Sequence, residues 1–510
     1  MRTDPTPPRS APNIQEVRIG ADVLELVSSS MYVEPLTAYR EYLQNAADAI
    51  EMARERGLLA VDQEGQVDID IDQAARTVRI RDNGTGIPAA EVQARLLGIG
   101  GSAKRGTRAR GFRGVGRLAA LGYAQTLTFR TRAQGEDSIS EIVWDARRIR
   151  SAMQDPSAHD LASIVAAVVD VRVLDVEGFP DRFFEVEIGR IARQRGDRLL
   201  DVETVSAFLS QVAPVPFCPS FRHAEEIASR LRAGGGIEEL KVRIDGGDPL
   251  TRPYRDRIPL GAGNGTIEDL QIVELPGLDG GLGAIGWFAH HDYQGAIPTG
   301  ALVKGVRVRM GNVQIGDHTV LQGIFPEERF NSWTVGEVHV FDRRIVPNGR
   351  RDDFEANAHY ANIVNQLSPI GREVARRCRT SSNRRTRLRE FELAAREVCE
   401  RLDLATQGGL DEARRARELA AARGGIVRMR RAIATDVLHA ADRERMNETL
   451  EEVDGRLSGV RGMEADDPFQ HLGETKRDTY REIIGLIYDC STNHASAKAL
   501  VDRIVRRISG

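Results

Sequence analysis

The chain of 510 residues has only four cysteines, Cys218, Cys378, Cys399 and Cys490, scattered without metal-ligand spacing. That is too few for a secreted disulfide scaffold, and a reducing cytoplasmic setting is expected. Long apolar runs are missing, so no segment is expected to cross a membrane. Residues 1–13 are proline-rich without an apolar core, which predicts a disordered tail and excludes a signal peptide. Nor is there an excess of one charge: 71 Lys and Arg against 75 Asp and Glu leave a net charge of -4, which gives no global attraction to nucleic acid or anionic membrane. With 41% hydrophobic residues the chain can build packed cores, and its length leaves room for about three domains.

Two common phosphate-binding signatures are absent as well. Gly98 to Lys104 is not a P-loop, because Ala103 stands where a glycine must precede the lysine. Gly111, Gly114 and Gly116 form G-x-x-G-x-G, but no strand directly precedes them and no acidic residue follows at the distance a dinucleotide fold requires.

Four signals do occur, in one order, between Arg40 and Gly122. Glu41-Tyr42-Leu43-Gln44-Asn45-Ala46-Ala47-Asp48-Ala49 lies in helix formers running from about Pro35 to Arg56. Glu41, Asn45 and Asp48 at i, i+4 and i+7 therefore share one helical face, and a polar stripe there is expected to meet a ligand. A carboxylate at Glu41 can orient and deprotonate a water. The amide oxygen of Asn45 suits magnesium, which takes few protein oxygens alongside phosphates and waters. Asp82-Asn83-Gly84-Thr85-Gly86 ends the alternating strand Thr77–Arg81; a buried Asp82 can accept from the exocyclic amine of adenine, with Gly84 and Gly86 letting the backbone approach the base. Ala103-Lys104-Arg105-Gly106-Thr107 is the third signal. Gly111-Phe112-Arg113-Gly114-Val115-Gly116 leads into Arg117–Leu121, which reads as a helix start whose amides face phosphate oxygens. Together these describe a pocket for ATP and Mg2+.

In order and spacing the set resembles the GHKL ATPase superfamily of gyrase, the heat shock protein 90 chaperones, histidine kinases and MutL. The resemblance implies Glu41 as general base, Asn45 as magnesium ligand, Asp82 as adenine acceptor, and Gly111, Gly114, Val115 and Gly116 as phosphate loop. Asn45–Ile50 and Ala103–Thr107 are similar to the heat shock protein 90 motifs N-A-S-D-A-[IL] and A-K-S-G-T, and the second similarity implies Lys104 as a phosphate contact, with an exposed loop lysine as the alternative. Far downstream, Val335 to Phe354 is similar to the chaperone middle-domain run carrying the arginine that reaches the terminal phosphate. That match falls on Arg351, with Arg350 the adjacent candidate. There are departures. No threonine stands in Arg182–Val186, where the family has one near adenine; Met52 takes the place of a lysine; and the lid from Gly101 to Gly111 is short.

The expected fold class is α+β: a tail (1–13), a Bergerat-type two-layer ATP domain (14–221), an α/β middle domain (222–357), and an all-helical C-terminal region (358–510) as candidate dimerisation module. Gln66–Asp72 alternates strictly, so its D-x-D-x-D is the solvent side of a strand rather than a metal site. His290-His291 reads as a strand end. Leu231 to Gly247 opens the second region, with Leu240–Ile244 and Gly305–Arg309 among its strands. Arg372 to Arg389 form a basic cluster, helically spaced in its first half and almost free of aromatics, so a solvated face is favoured over nucleic-acid contact. Tyr480, Ile483, Ile484, Ile487 and Tyr488, then Ala499, Leu500, Ile504 and Ile508, form apolar stripes for which a homodimer interface is favoured slightly over a satellite core packed within one chain. The implied activity is ATP hydrolysis driving a chaperone-like clamp on an unknown client protein. A histidine kinase is set aside because its phospho-accepting helix would precede this domain. A nucleic-acid clamp of the MutL or MORC type and a bacterial defence ATPase stay open as alternatives.

Overall fold

The computed structural model describes residues 34–60, 62–98, 116–153, 161–194, 196–235, 238–260, 263–462 and 467–509; the tail at 1–13 lies outside them. The chain divides into two compact units, Met1–Ala375 and Arg376–Gly510.

The first unit opens with helix α1 (Thr37–Glu55), rich in alanine, which favours helix. The helix stops ahead of Gly57, whose φ of +69° suits a residue without Cβ. Strands β1 (Gly65–Asp72) and β2 (Thr77–Asp82) pair antiparallel, Val67 opposite Asp82 and Asp72 opposite Thr77. Alternation works as expected on β1: Val67 and Ile69 are buried while Asp70 and Asp72 are exposed. Helix α2 (Ala89–Leu97) follows; a 3₁₀ stretch then spans Gly116–Gly122. The helix start expected at Arg117–Leu121 is only this short 3₁₀ segment, because the chain must enter strand β3 (Thr126–Arg132) a few residues later. Then come β4 (Ile139–Asp145), α3 (Ala146–Met153), α4 (Leu161–Val168), β5 (Val169–Leu174), β6 (Phe183–Gly189), α5 (Val202–Val212), α6 (Ala224–Ala233) and β7 (Leu240–Ile244).

These strands make a seven-stranded sheet in the order β5-β4-β3-β6-β2-β1-β7. One face packs Val67, Ile80, Phe129, Trp144 and Val186 against Tyr39, Leu43 and Ile50 of α1 and Leu209 of α5. On strands β3, β4 and β6, Arg130 bridges Glu141, Glu185 and Glu187 at 2.8, 3.0 and 2.7 Å, so charge pairs populate the sheet away from that core. The result is an α+β two-layer sandwich. Leu240–Ile244, read from sequence as an opening strand of the second region, pairs parallel with β1 and closes the edge of this first sheet. Its Leu240 and Val242 bury into the same core, which decides the pairing.

A second sheet follows. Hairpin β8 (Arg257–Leu260) and β9 (Gly263–Thr266) precede β10 (Asp269–Pro276), β11 (Leu282–His290), β12 (Gly305–Met310), β13 (Val313–Ile315) and β14 (Val335–Val340). The last five form one sheet in the order β10-β11-β14-β12-β13 around Trp287, Tyr254 and Phe221. His290 ends β11 and bonds Tyr293 Oη at 2.6 Å, a structural role. Between the sheets lies a buried ionic knot. Glu337 accepts from Arg252 at 2.6 Å, Arg309 at 2.5 Å and Tyr254 at 3.0 Å. The same two arginines donate to the carbonyls of Val215 and Ala213 just beyond α5, at 3.0 and 3.2 Å. A charge removed from water at this depth persists only when every partner is present, so the knot ties the second sheet to the first layer.

Helix α7 (Ala358–Ala405) begins in the first unit, and its residues from Arg376 onward belong to the second. Arg372 through Arg389 all fall within it, not only the first half, as arginine is a good helix former. The second unit adds α8 (Glu412–Ile433), α9 (Ala440–Gly462), α10 (Glu474–Cys490) and α11 (His494–Ser509). One core joins Val398, Ile426, Met429 and Val453; another joins Leu404, Phe469, Ile484, Tyr488 and Val501. Within the basic cluster Arg384 pairs with buried Asp442 at 2.6 Å, and Arg387 with Glu390 at 2.7 Å.

Candidate active site

The polar stripe of α1 is the foundation of the site. Glu41 and Asp48 are buried and Asn45 is half-buried between them. Glu41 is 7% exposed, and Gly116 closes directly over it: a Cβ built at Gly116 would lie 2.2 Å from Glu41 Oε2. A side chain at Gly116 would have to displace the carboxylate. The last glycine of the G-x-x-G-x-G run therefore abuts the carboxylate expected to act as base. Tyr42 Oη donates to the carbonyl of the next residue, Arg117, at 3.0 Å, which pins the loop's exit to α1. Arg117 in turn donates through Nε to the carbonyl of Leu96 at 3.2 Å, and burial lowers its pKa to about 10.

Asp82 sits at the end of β2, buried, and its Oδ1 accepts the N–H of Gly84 at 2.9 Å. The two glycines of this turn have steric causes in the protein itself. A Cβ at Gly84 would come 2.6 Å from the Cβ of Ala49 on α1, and one at Gly86, whose φ is +62°, would come 2.1 Å from the carbonyl of Arg132 on β3. The turn is thus wedged between helix and sheet, which fixes the backbone that follows Asp82 beside α1. Where the family's threonine is missing, Arg182 donates to the carbonyls of Leu58 at 2.7 Å and Asn83 at 3.1 Å. Burial pulls its pKa down, opposed by the Asp82 charge.

The remaining groups arrive from the loop after β14. Arg351 is a non-glycine residue at φ +55°, a left-handed conformation that is costly and held only where the surroundings enforce it. Two donors fix its carbonyl: the N–H of Gly316 at 2.8 Å and Arg40 Nη1 at 3.3 Å. Arg40 also donates through Nη2 to the carbonyl of Arg350 at 2.9 Å. So held, the Arg351 side chain is buried against α1, its Nε 3.6 Å from Glu41 Oε1 and its Nη1 donating to Gln44 Oε1. Arg350 is exposed. Lys104, Gly111, Gly114 and Val115 lie outside the described residues.

The structure therefore brings Glu41, Gly116 and Arg351 together, and sets Asn45, Asp48 and Asp82 along the same helix and its adjoining turn. Sequence reading passed over Arg40 and Gln44. Gln44 lies at i+3 from Glu41, so the helical spacing that picked Asn45 contained the signal. Among the described residues no three His, Cys, Asp or Glu side chains group as a metal site, and no helix is long and apolar enough to cross a membrane.

A mostly antiparallel sheet backed by a helix that carries the acid and the amide is the architecture of a GHKL-type ATPase domain. Residues 33–167 match the family of histidine kinase-, DNA gyrase B- and HSP90-like ATPases. The chain is similar to the chaperone protein HtpG of Polaromonas naphthalenivorans, with 38% identity over 93 residues, 17% of this chain and 14% of that protein. It is similar also to HtpG of Coxiella burnetii, 31% identical over 146 residues, 24% of this chain and 22% of that protein. HtpG of Serratia proteamaculans is 32% identical over 144 residues, 24% and 23% of the two chains. The matches span less than a quarter of these relatives' length.

Proposed function

We propose that the protein binds ATP with Mg2+ and hydrolyses it to ADP and phosphate, driving a heat shock protein 90-like clamp on a client protein. The observation that carries this reading is the convergence of Arg351 on Glu41: a cation from the second sheet stands beside the carboxylate of α1, where a terminal phosphate would need it. The HtpG likeness supports the chaperone branch.

In this reading Asp82 accepts from the adenine amine, and the amides around Gly111, Gly114, Val115 and Gly116, with Lys104, meet the phosphates. Asn45 would hold the magnesium ion through its amide oxygen, aided by Asp48; the ion would supply charge neutralisation of the phosphates. Glu41 orients a water and takes its proton as the water oxygen bonds to the terminal phosphorus and the bond to the bridging oxygen breaks. Arg351 offsets the charge that accumulates on the departing groups. The clamp works as a homodimer, to which Ile483, Leu486 and Leu500 contribute, being 43%, 55% and 41% exposed beside the core of α10 and α11.

Steady-state ATPase assays with parallel binding measurements test the assignment. Glu41→Ala should bind ATP near normally while turnover falls about 100-fold or more; equal loss of affinity would reassign the residue. The arginine-rich stretch of α7 is the support for a nucleic-acid clamp instead. Stimulation of ATP turnover by DNA or RNA, fading as salt rises, would favour that clamp, and its absence at low salt the chaperone.

A further inference from the structure

Two guanidinium groups stand within 4.0 Å of Glu41 Oε1, that of Arg351 at 3.6 Å and that of Arg40 at 4.0 Å. Yet that oxygen is buried and accepts no hydrogen bond among the described residues. A carboxylate beside an arginine ordinarily takes a short, charge-assisted bond, often two in parallel. Something must divert the donors. For Arg40 the diversion is the pair of carbonyls at Arg350 and Arg351. For Arg351 it is Gln44, one turn along α1 and 1% exposed, whose Oε1 accepts from Nη1. A guanidinium only donates, so the oxygen of the amide must be the end that faces it. Gln44 Nε2 meets no acceptor among the described residues, so Arg351 alone sets the amide's orientation.

We infer that Gln44 is a positioning residue that holds Arg351 beside Glu41 and off it. The inference rests on the reading of Glu41 as base and Arg351 as the phosphate-facing arginine. Its chemistry follows from the difference between a neutral and a charged acceptor. An arginine seated directly on Glu41 would occupy the lone pairs that must receive the water's proton, and would be held more strongly than by an amide, because the acceptor too is charged and can take two parallel bonds. Gln44 takes one donor of Arg351 on a neutral acceptor, which leaves Oε1 open to water. That bond is weak enough for the guanidinium to exchange it for the oxygens of an arriving terminal phosphate. Both an apolar residue and a carboxylate at this position would spoil the arrangement: the first releases Arg351 onto Glu41, the second keeps it from the phosphate.

The test is a set of five variants in the full chain, measured for kcat, KM and ADP affinity, with circular dichroism as the check on folding. Gln44→Met conserves volume and removes the acceptor; Gln44→Glu conserves shape and charges it. Each should lower kcat about tenfold with KM for ATP and affinity for ADP unchanged, because only the hydrolytic step uses the freed carboxylate. In an Arg351→Ala background, Gln44→Met should have no further effect on kcat, an outcome that a merely structural glutamine would not produce. Wild-type kcat in a folded Gln44→Met, or additive loss with Arg351→Ala, overturns the inference. Should Gln44→Met not fold, Gln44→Glu decides it, with wild-type kcat as the overturning result. If Glu41→Ala and Arg351→Ala themselves retain full kcat, the underlying site assignment has failed rather than the role of Gln44 alone.

Discussion

Gly116 and Glu41 are in contact: an ideal Cβ on Gly116 would lie 2.2 Å from Glu41 Oε2, so a side chain there meets the carboxylate. Gly116 and the carboxylate are therefore fitted to one another. Gly116→Ala should push the carboxylate aside and lower kcat about tenfold or more, whereas a glycine in ordinary backbone with open space around it would tolerate alanine. The backbone here is 3₁₀, which alanine adopts, so the fold should persist. Single-turnover hydrolysis by the alanine variant at the wild-type rate would show that the contact has no catalytic consequence.

Asp82→Asn keeps an oxygen for the Gly84 amide but loses the charge. If adenine is recognised there, ATP and ADP should both bind at least about tenfold more weakly, since both carry the base and a charge-assisted bond is lost. Calorimetric titration with ADP checks this, and unchanged affinity would remove Asp82 from the site.

The two arginines after β14 separate by burial. Arg351→Ala should slow hydrolysis by at least about tenfold without changing ADP affinity, because ADP has no terminal phosphate to contact. Exposed Arg350→Ala should do neither, as Arg40 uses only its backbone carbonyl. The reverse pattern in the same kinetic assay would shift the assignment by one residue.

The buried knot carries a pH signature. His339 lies against Glu337, Nε2 to Oε2 3.0 Å, and burial is the main cause that pushes its pKa from the ordinary 6.5 down to about 4. The ring is therefore neutral in the folded state, with its proton on Nε2. The unfolded chain takes up a proton below about pH 6.5 that the folded one resists until about pH 4, so stability is fully present above 6.5 and is lost as pH falls through that window. Glu337, held well below the usual carboxylate range against its burial by Arg252 and Arg309, adds a further loss below its unfolded value of 4.5. The Tm of the wild type should fall between pH 7 and 5, and His339→Gln should flatten that slope. A slope unaltered in the variant would place the acid sensitivity elsewhere.

Local sequence determined much of this protein, because local physics suffices for it. Alanine-rich sequence with polar groups at helical spacing makes α1 and puts Glu41, Asn45 and Asp48 on one stripe, and alternation makes β1 and β2 with Asp82 at the strand end. Glycines are legible where the backbone must turn. What the tertiary structure alone decided involves partners far apart in the chain. Leu240–Ile244 joins the first sheet because its apolar side fits that core. Gln44 and Arg351, 307 positions apart, meet because the second sheet is tied to the first layer by Arg252, Arg309 and Glu337. A hydrogen bond between such residues depends on the packing of two sheets, and neither residue's neighbours in sequence record it.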